Sequence, residues 1–539
     1  MDTSRRPLSA AWIFVQWLFL DCWREEPTSR RALDAGLIVV LYLVLVALAW
    51  ISLNFHSHHR LYTDAGIFAA VAEHLLQGKF LYKEVWDHKP PMIYCLNFIP
   101  LLFGDGTANS IIQLERFFSV VGVTVFFWIT LIALKNPFLA FFASSAFLFH
   151  FFEPNVFQGG NLTEEYAAYF VLLGIVAAVA SREWLGNISI ACCMISGLFF
   201  SLAIFTKEPF LLSAIPWFVF LFLQKKYSRR QILLRGIGYG IGALLPVVFF
   251  LVYFGMNGIL SDWLDVLSYN YQYAKQSTSL ESFWVRWKEH IRVASQFVTG
   301  QTITFQLAFL LGIVATGFPA FVKKYGYFPW VCVAAFVLEF IATGISGYPI
   351  GHYYLQLVGS YILVGAVGGA FWIDWFQRNR LSQFWVLAVF LTSLLVADSV
   401  PGQMALRRIV TPPGRSGIGP ISQAIRERKK AGDTIWVVVG DNSRYYLETG
   451  LLSPTKYIYL FEHLFLDTRN STREEKQNLI RDQLTLHPPT YIILSGRAIA
   501  CLEKLGLRDR LEWINSHYEI DNVREEENFL YVYKSQSLP

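Results

Sequence analysis

Charge is scarce in this 539-residue chain. Asp, Glu, Lys and Arg supply only 16% of it against 54% hydrophobic residues, and the mean hydropathy is +0.40. That balance excludes an ordinary soluble enzyme of this length. Cysteine is also sparse: Cys22, Cys95, Cys192, Cys193, Cys332 and Cys501 lie mostly in or beside apolar runs without metal spacing, so no disulfide framework is implied. A glycine-rich phosphate fingerprint is missing, since Val439-Gly440-Asp441-Asn442-Ser443 offers one glycine after a strand. The alternating pattern of a membrane β-barrel is missing too. So is a cleavable signal peptide: the apolar stretch Ala11–Leu20 runs into Asp21-Cys22-Trp23-Arg24 without a small-residue cleavage site. With Trp12, Trp17 and Trp23 interleaved, it resembles an interfacial amphipathic helix.

What the chain has in abundance is long apolar runs. About 20 apolar residues cross a bilayer, and eleven spans are expected near 34–53, 111–134, 137–152, 166–181, 187–205, 209–223, 234–255, 302–321, 328–345, 353–373 and 383–398. Cytoplasmic loops retain Lys and Arg. Arg5, Arg6, Arg24, Arg30 and Arg31 precede the first span, and Lys135, Arg182, Lys225, Lys226, Arg229, Arg230, Lys323, Lys324, Arg378 and Arg380 fall in every second loop thereafter. One phase satisfies them all, with the N-terminus inside and the loops 54–110, 153–165, 206–208, 256–300 and 346–352 and the C-terminal tail outside. The net charge of +5 is accounted for by those inner loops and does not argue for nucleic acid binding.

The expected fold class is therefore a polytopic α-helical membrane protein with a small C-terminal α/β extracytoplasmic domain. Residues 1–33 form an N-terminal cytoplasmic or interfacial segment, 34–400 the membrane domain, 401–414 a linker and 415–539 the outer domain. After Pro401 helix-like runs (421–430, 471–486, 499–516) alternate with strand-like ones (434–439, 491–494, 529–533), the pattern of an α/β unit. Support or partner recognition is its expected role.

Ionisable residues cluster in the outer loops. Asp64 opens a short helix whose apolar positions 67, 68, 71 and 75 form one face along the membrane; the dipole favours an ionised carboxylate there, suited to a base, a metal ligand or simply a cap. In Asp87-His88-Lys89-Pro90-Pro91 the prolines stiffen the backbone and present Lys89 from an extended segment, where an ammonium can hold a phosphate. His88 is a candidate metal ligand or phosphate donor. Glu164 and Glu165 stand where the second outer loop re-enters the membrane; either facing Asp64 would share a metal or an acceptor hydroxyl with it. Lys207, followed by Glu208-Pro209, and His352-Tyr353 complete the set on the same side. Acidic groups, two lysines and a histidine on one face suit binding an anionic head group and deprotonating a nucleophile.

These residues carry a family resemblance. Asp-Ala-Gly-Ile-Phe (64–68), Leu-Gln-Gly-Lys-Phe-Leu-Tyr (76–82), Trp-Asp-His-Lys-Pro-Pro-Met-Ile-Tyr (86–94), Phe-Gly-Asp-Gly (103–106) and Ser-Leu-Ala-Ile-Phe-Thr-Lys-Glu-Pro (201–209) resemble the dispersed motifs of bacterial glycosyltransferase family 39. This is the protein-mannosyltransferase-like and aminoarabinose-transferase-like group of the GT-C superfamily. The resemblance covers about residues 34–400 and implies a membrane enzyme that moves a sugar from a polyprenyl-phosphate donor to a hydroxyl on a lipid, glycan or protein, usually with inversion, at the outer face of a bacterial inner or plasma membrane. It makes Asp64 the catalytic base or metal-linked acid. Lys89, Lys207, His352 and Tyr353 become donor-phosphate residues, and Glu164 or Glu165 the acidic group of the second loop. A divalent metal is the one cofactor it admits. Glu208 departs from the pattern, replacing a glycine.

A flippase for a lipid-linked sugar is the alternative. It calls for ionisable groups near span centres and inverted hydropathy halves; the spans here are nearly free of charge in the middle, with Glu339 and Asp374 nearer their ends. A scaffold anchored by eleven helices fits less well, since one helix suffices as an anchor.

Overall fold

The computed structural model describes residues 28–534 apart from 53–60, 62, 184–186, 224–226, 277–279, 300–302, 346–349, 379–417, 462–463, 465 and 469–470. The interfacial helix expected near 11–20, the span expected at 383–398 and the whole linker 401–414 lie outside the described residues.

Apolar composition sets the helices of the membrane part. In chain order they are α1 (Thr28–Ser52), α2 (Thr63–Leu76), α3 (Met92–Phe103), α4 (Ala108–Leu134), α5 (Pro137–Phe151), α6 (Thr163–Glu183), α7 (Asn187–Thr206), α8 (Leu211–Phe220), α9 (Arg229–Met256), α10 (Leu260–Gln276), α11 (Leu280–Thr299), α12 (Ile303–Ala315), α13 (Pro319–Tyr325), α14 (Phe328–Gly344) and α15 (Leu355–Arg378). Among the described residues α4, α6, α7, α9 and the stretch Gly351–Trp375 are each long and apolar enough to cross a membrane. The helices at 38–50, 137–151, 208–220 and 328–344 coincide with expected spans but are shorter. One expectation is corrected: 302–321 is no straight span, because α12 and α13 meet at 95°. Gly317 and Phe318 interrupt the ladder there, and Pro319, without an N–H, starts a new helix.

Small residues bring the helices close. A Cβ added to Gly242 on α9 would lie 1.8 Å from the carbonyl oxygen of Met194 on α7, and one added to Gly368 on α15 would lie 1.8 Å from that of Ala308 on α12. Each pair packs backbone against backbone, the usual solution in lipid, where burying apolar side chains drives little association.

The C-terminal part is α/β as expected: α16 (Pro420–Arg428), β1 (Ile435–Val437), α17 (Arg444–Thr449), α18 (Arg473–Leu486), β2 (Tyr491–Ser495), α19 (Gly496–Lys504), α20 (Arg508–His517), β3 (Tyr518–Glu525) and β4 (Asn528–Tyr533). The sheet order is β1-β2-β4-β3, with β1 parallel to β2 and the other pairs antiparallel. One expected run is split, and two elements lie outside the runs read from the sequence. Residues 499–516 make two helices because the chain turns at Gly506 (φ 71°), 444–447 is helical, and the polar strand β3 carries no apolar run to betray it.

Helix α2 does not lie on the membrane with one apolar face, as its periodicity predicts. It is enclosed: Ala65 to Ala72 are all buried. One side packs on Leu101 and Ile111, and Leu447 of the C-terminal part joins the same cluster. Gly66 permits the contact, since a Cβ there would meet Leu61 O at 2.8 Å and Arg444 N at 3.1 Å. His74 fastens the joint. Its Nδ1 donates to Ala70 O (2.7 Å) and its Nε2 accepts from Ser453 N (2.9 Å), which requires a neutral ring.

Burial pushes the His74 pKa down to about 4; the bond to Ala70 opposes the shift and Lys79 adds to it. Between pH 6.5 and 4 the unfolded chain therefore binds a proton that the folded joint excludes, so stability falls as the pH drops through that window. We expect cleavage between the two parts by an acid-tolerant protease to rise over this range in the wild type. His74→Gln should flatten that dependence, and an unchanged slope would show that the joint is held elsewhere.

Candidate active site

Four loop segments of the helical part and the C-terminal part meet around a cavity of about 510 Å³. Its membrane-side lining includes Asp64, His88, Lys89, His352 and Tyr353; its roof includes Tyr459, Phe461, Arg497 and Lys504. Asp64 sits in the first turn of α2, and its carboxylate lies 4.0 Å from Lys89 Nζ.

The chain around Lys89 is pinned. Its N–H donates to Tyr94 OH (3.2 Å) and its carbonyl accepts from Tyr82 OH (2.8 Å); Pro90 and Pro91 follow. Asp87 is the buried anchor of this turn. It accepts from the His88 N–H, from Tyr94 OH and, across to the C-terminal part, from Tyr459 OH, all at 2.7 Å. Burial works against the Asp87 charge, yet His88, Tyr94 and Lys89 together hold its pKa well below the usual carboxylate range. Burial and Lys207 oppose the charge on Lys89; Asp64, Tyr353 and Glu164 outweigh them and raise its pKa. Lys89 is therefore a fixed cation at the cavity wall.

Lys207 follows α7 in an extended conformation and pairs with Glu164 Oε1 at 2.9 Å. Its ammonium also lies 4.7 Å from the centre of the Tyr353 ring, a cation–π contact. Burial opposes its charge, but Glu164 and Tyr353 raise its pKa far above the ordinary lysine value. His352 packs beside them, with Nδ1 2.7 Å from Gln158 Oε1 and Nε2 4.0 Å from Glu164.

Lys89, Lys207, His352 and Tyr353, expected together near a phosphate, thus gather in space. The two second-loop acids take different places. Glu164 is the partner of Lys207, and Glu165 is fully buried on the far side, accepting from Leu162 N. The loop leading to them explains this: Asn161 donates its N–H to the buried carboxylate of Glu115 and its amide to Ala65 O and Asn97, which turns the start of α6 inward. His88 does not find metal-binding company: its Nδ1 lies 3.1 Å from Asp87, its ring is flanked by Tyr269 and Phe461, and among the described residues no three His, Cys, Asp or Glu side chains are grouped to hold a metal.

Sequence reasoning missed Asn270 on α10, whose amide donates to His88 O and Glu208 Oε1, both at 2.9 Å. It missed the roof residues as well. The aromatic run Tyr269-Asn270-Tyr271-Gln272-Tyr273 was the only local signal for the first; for the roof there was none.

Apolar helices long enough to cross a membrane, a cavity capped by the C-terminal part and two lysines each paired with a carboxylate make up a mostly helical fold with a small α/β part. Two solved structures carry it: ArnT from Cupriavidus metallidurans in the apo state (TM-score 0.55, 10% identity) and the same protein bound to undecaprenyl phosphate (0.53, 11%). Each alignment covers 92% of this chain and 98% of the other. At such identity the likeness shows the fold. No family model matches the sequence, and no curated protein does either.

Proposed function

We propose that the protein is a glycosyltransferase that moves a sugar from a polyprenyl-phosphate donor to a hydroxyl acceptor at the outer membrane face. The observation that carries this reading is the convergence of Asp64, Lys89 and Lys207, from three distant segments, on a fold that in ArnT binds undecaprenyl phosphate. In this reading the donor phosphate lies between Lys89 and Lys207, with its prenyl chain along the bilayer.

The acceptor oxygen attacks the anomeric carbon and gives its proton to Asp64 Oδ2, while the bond from that carbon to the phosphate oxygen breaks. Negative charge grows on the departing phosphate, so two fixed ammonium groups stabilise the transition state more than the ground state. Glu164 keeps Lys207 charged and in place, as does the Tyr353 ring. Asp64 is about one-third exposed and faces the roof, so the acceptor approaches from the side of Phe461, Arg497 and Lys504.

The test is turnover of radiolabelled polyprenyl-monophosphate and polyprenyl-diphosphate sugars in proteoliposomes. Consumption of a monophosphate donor is the expected result. Movement of the lipid across the bilayer without sugar transfer would replace this reading with a flippase, and neither activity would leave a scaffold.

A further inference from the structure

Glu208 stands next to Lys207, whose charge the proposed reaction needs. A carboxylate there competes with the phosphate for Lys207 unless something else holds it. Asn270 does. Its single NH₂ group spends one hydrogen on Glu208 Oε1 and the other on His88 O, each at 2.9 Å. Both neighbours are acceptors, so only the amide nitrogen satisfies them.

The His88 carbonyl belongs to the planar peptide unit that also contains the Lys89 nitrogen. Holding that oxygen fixes the plane from one side, as Tyr94 OH does from the other. One side chain thereby ties the backbone just before Lys89 to the residue just after Lys207. Its own helix is held in turn. Tyr269 packs edge-on against Trp86 (5.2 Å) and beside the His88 ring (5.6 Å), and Asp262 pairs with Lys456 of the C-terminal part at 3.2 Å.

We propose that Asn270 is a positioning residue: it sets the separation of the two phosphate-binding lysines and holds the Glu208 carboxylate in a hydrogen bond of its own. The inference rests on the transferase reading above. It explains why this chain carries Glu208, which is an acceptor for the clamp and no hindrance while the clamp is closed.

The test compares wild type, N270D, E208Q and N270D/E208Q for donor turnover, for binding of polyprenyl phosphate alone and for melting temperature. N270D places a carboxylate against two acceptors. It is expected to lower both kcat and kcat/KM for the donor by about 10–100-fold, the scale of losing hydrogen bonds to a charged group, and to weaken polyprenyl phosphate binding. In N270D/E208Q the amide introduced at position 208 can donate to the carboxylate introduced at position 270, so the share of both losses that comes from position 208 should be recovered, while the share from the His88 carbonyl remains. A purely structural role would instead lower the melting temperature of N270D without changing kcat per active molecule.

N270D behaving as wild type, or the double variant no better than N270D, overturns the clamp. If wild type binds polyprenyl phosphate but turns over no donor, the transferase reading fails while the binding series still decides the clamp. If wild type binds none, both fall.

Discussion

Asp64→Asn is expected to lower sugar transfer by roughly 10²–10⁴-fold, the usual worth of a positioned general base. The substitution keeps shape and polarity, and the carboxylate is about one-third exposed with its ion-pair partner Lys89 at 4.0 Å, so the fold should survive. The loss should appear in kcat, because proton removal matters only as the acceptor oxygen attacks. Polyprenyl phosphate binding should be kept or strengthened, since a negative charge near the phosphate site has gone. Single-turnover transfer in proteoliposomes measures the first and lipid binding the second. A variant as fast as wild type would remove Asp64 from the chemistry and make it a helix cap.

Lys207→Ala should do two kinds of damage that a second substitution separates. In the proposed reaction the ammonium neutralises a growing phosphate charge, and losing one such group costs about 10²–10³-fold in rate. It also balances Glu164, whose side chain is 3% exposed. Removing one member of a buried pair leaves the other uncompensated, at a cost of about 3–5 kcal/mol, so the melting temperature should fall. In Lys207→Ala with Glu164→Gln the stranded charge is gone, so stability should return while the rate stays low. If the double variant regains activity as well, Lys207 serves only to neutralise Glu164 and the phosphate must be held elsewhere. Glu164→Gln alone should leave Lys207 charged but less firmly placed, a milder loss than either.

The sequence carried the membrane class and most helices, and it offered the lysines that the fold gathers, for a local reason. Transfer of an apolar run of about 20 residues into a bilayer is decided by composition within that run, and a Lys beside Pro90 and Pro91 announces a rigid, polar loop whatever surrounds it. Helix α2 shows the limit. Its apolar periodicity was legible, but its polar side looked solvated because nothing local foretold Ser453 and Leu447, nearly 400 residues later, closing over it. The acidic loop shows it again. Glu164 and Glu165 are chain neighbours and equal by composition, yet one meets Lys207 while the other turns inward, because Asn161 is fixed by Glu115, Asn97 and Ala65.

By itself, then, the sequence determined that the chain lives in a bilayer, where its polar loops begin and which residue types they offer, since these follow from short-range transfer energies and backbone stiffness. Only the tertiary structure decided which charge faces which: Lys207 against Glu164, Lys89 against Asp64, Asn270 across both. Coulomb and hydrogen-bond energies depend on ångström separations between residues 25 to 182 positions apart, and those separations exist only once the helices have packed.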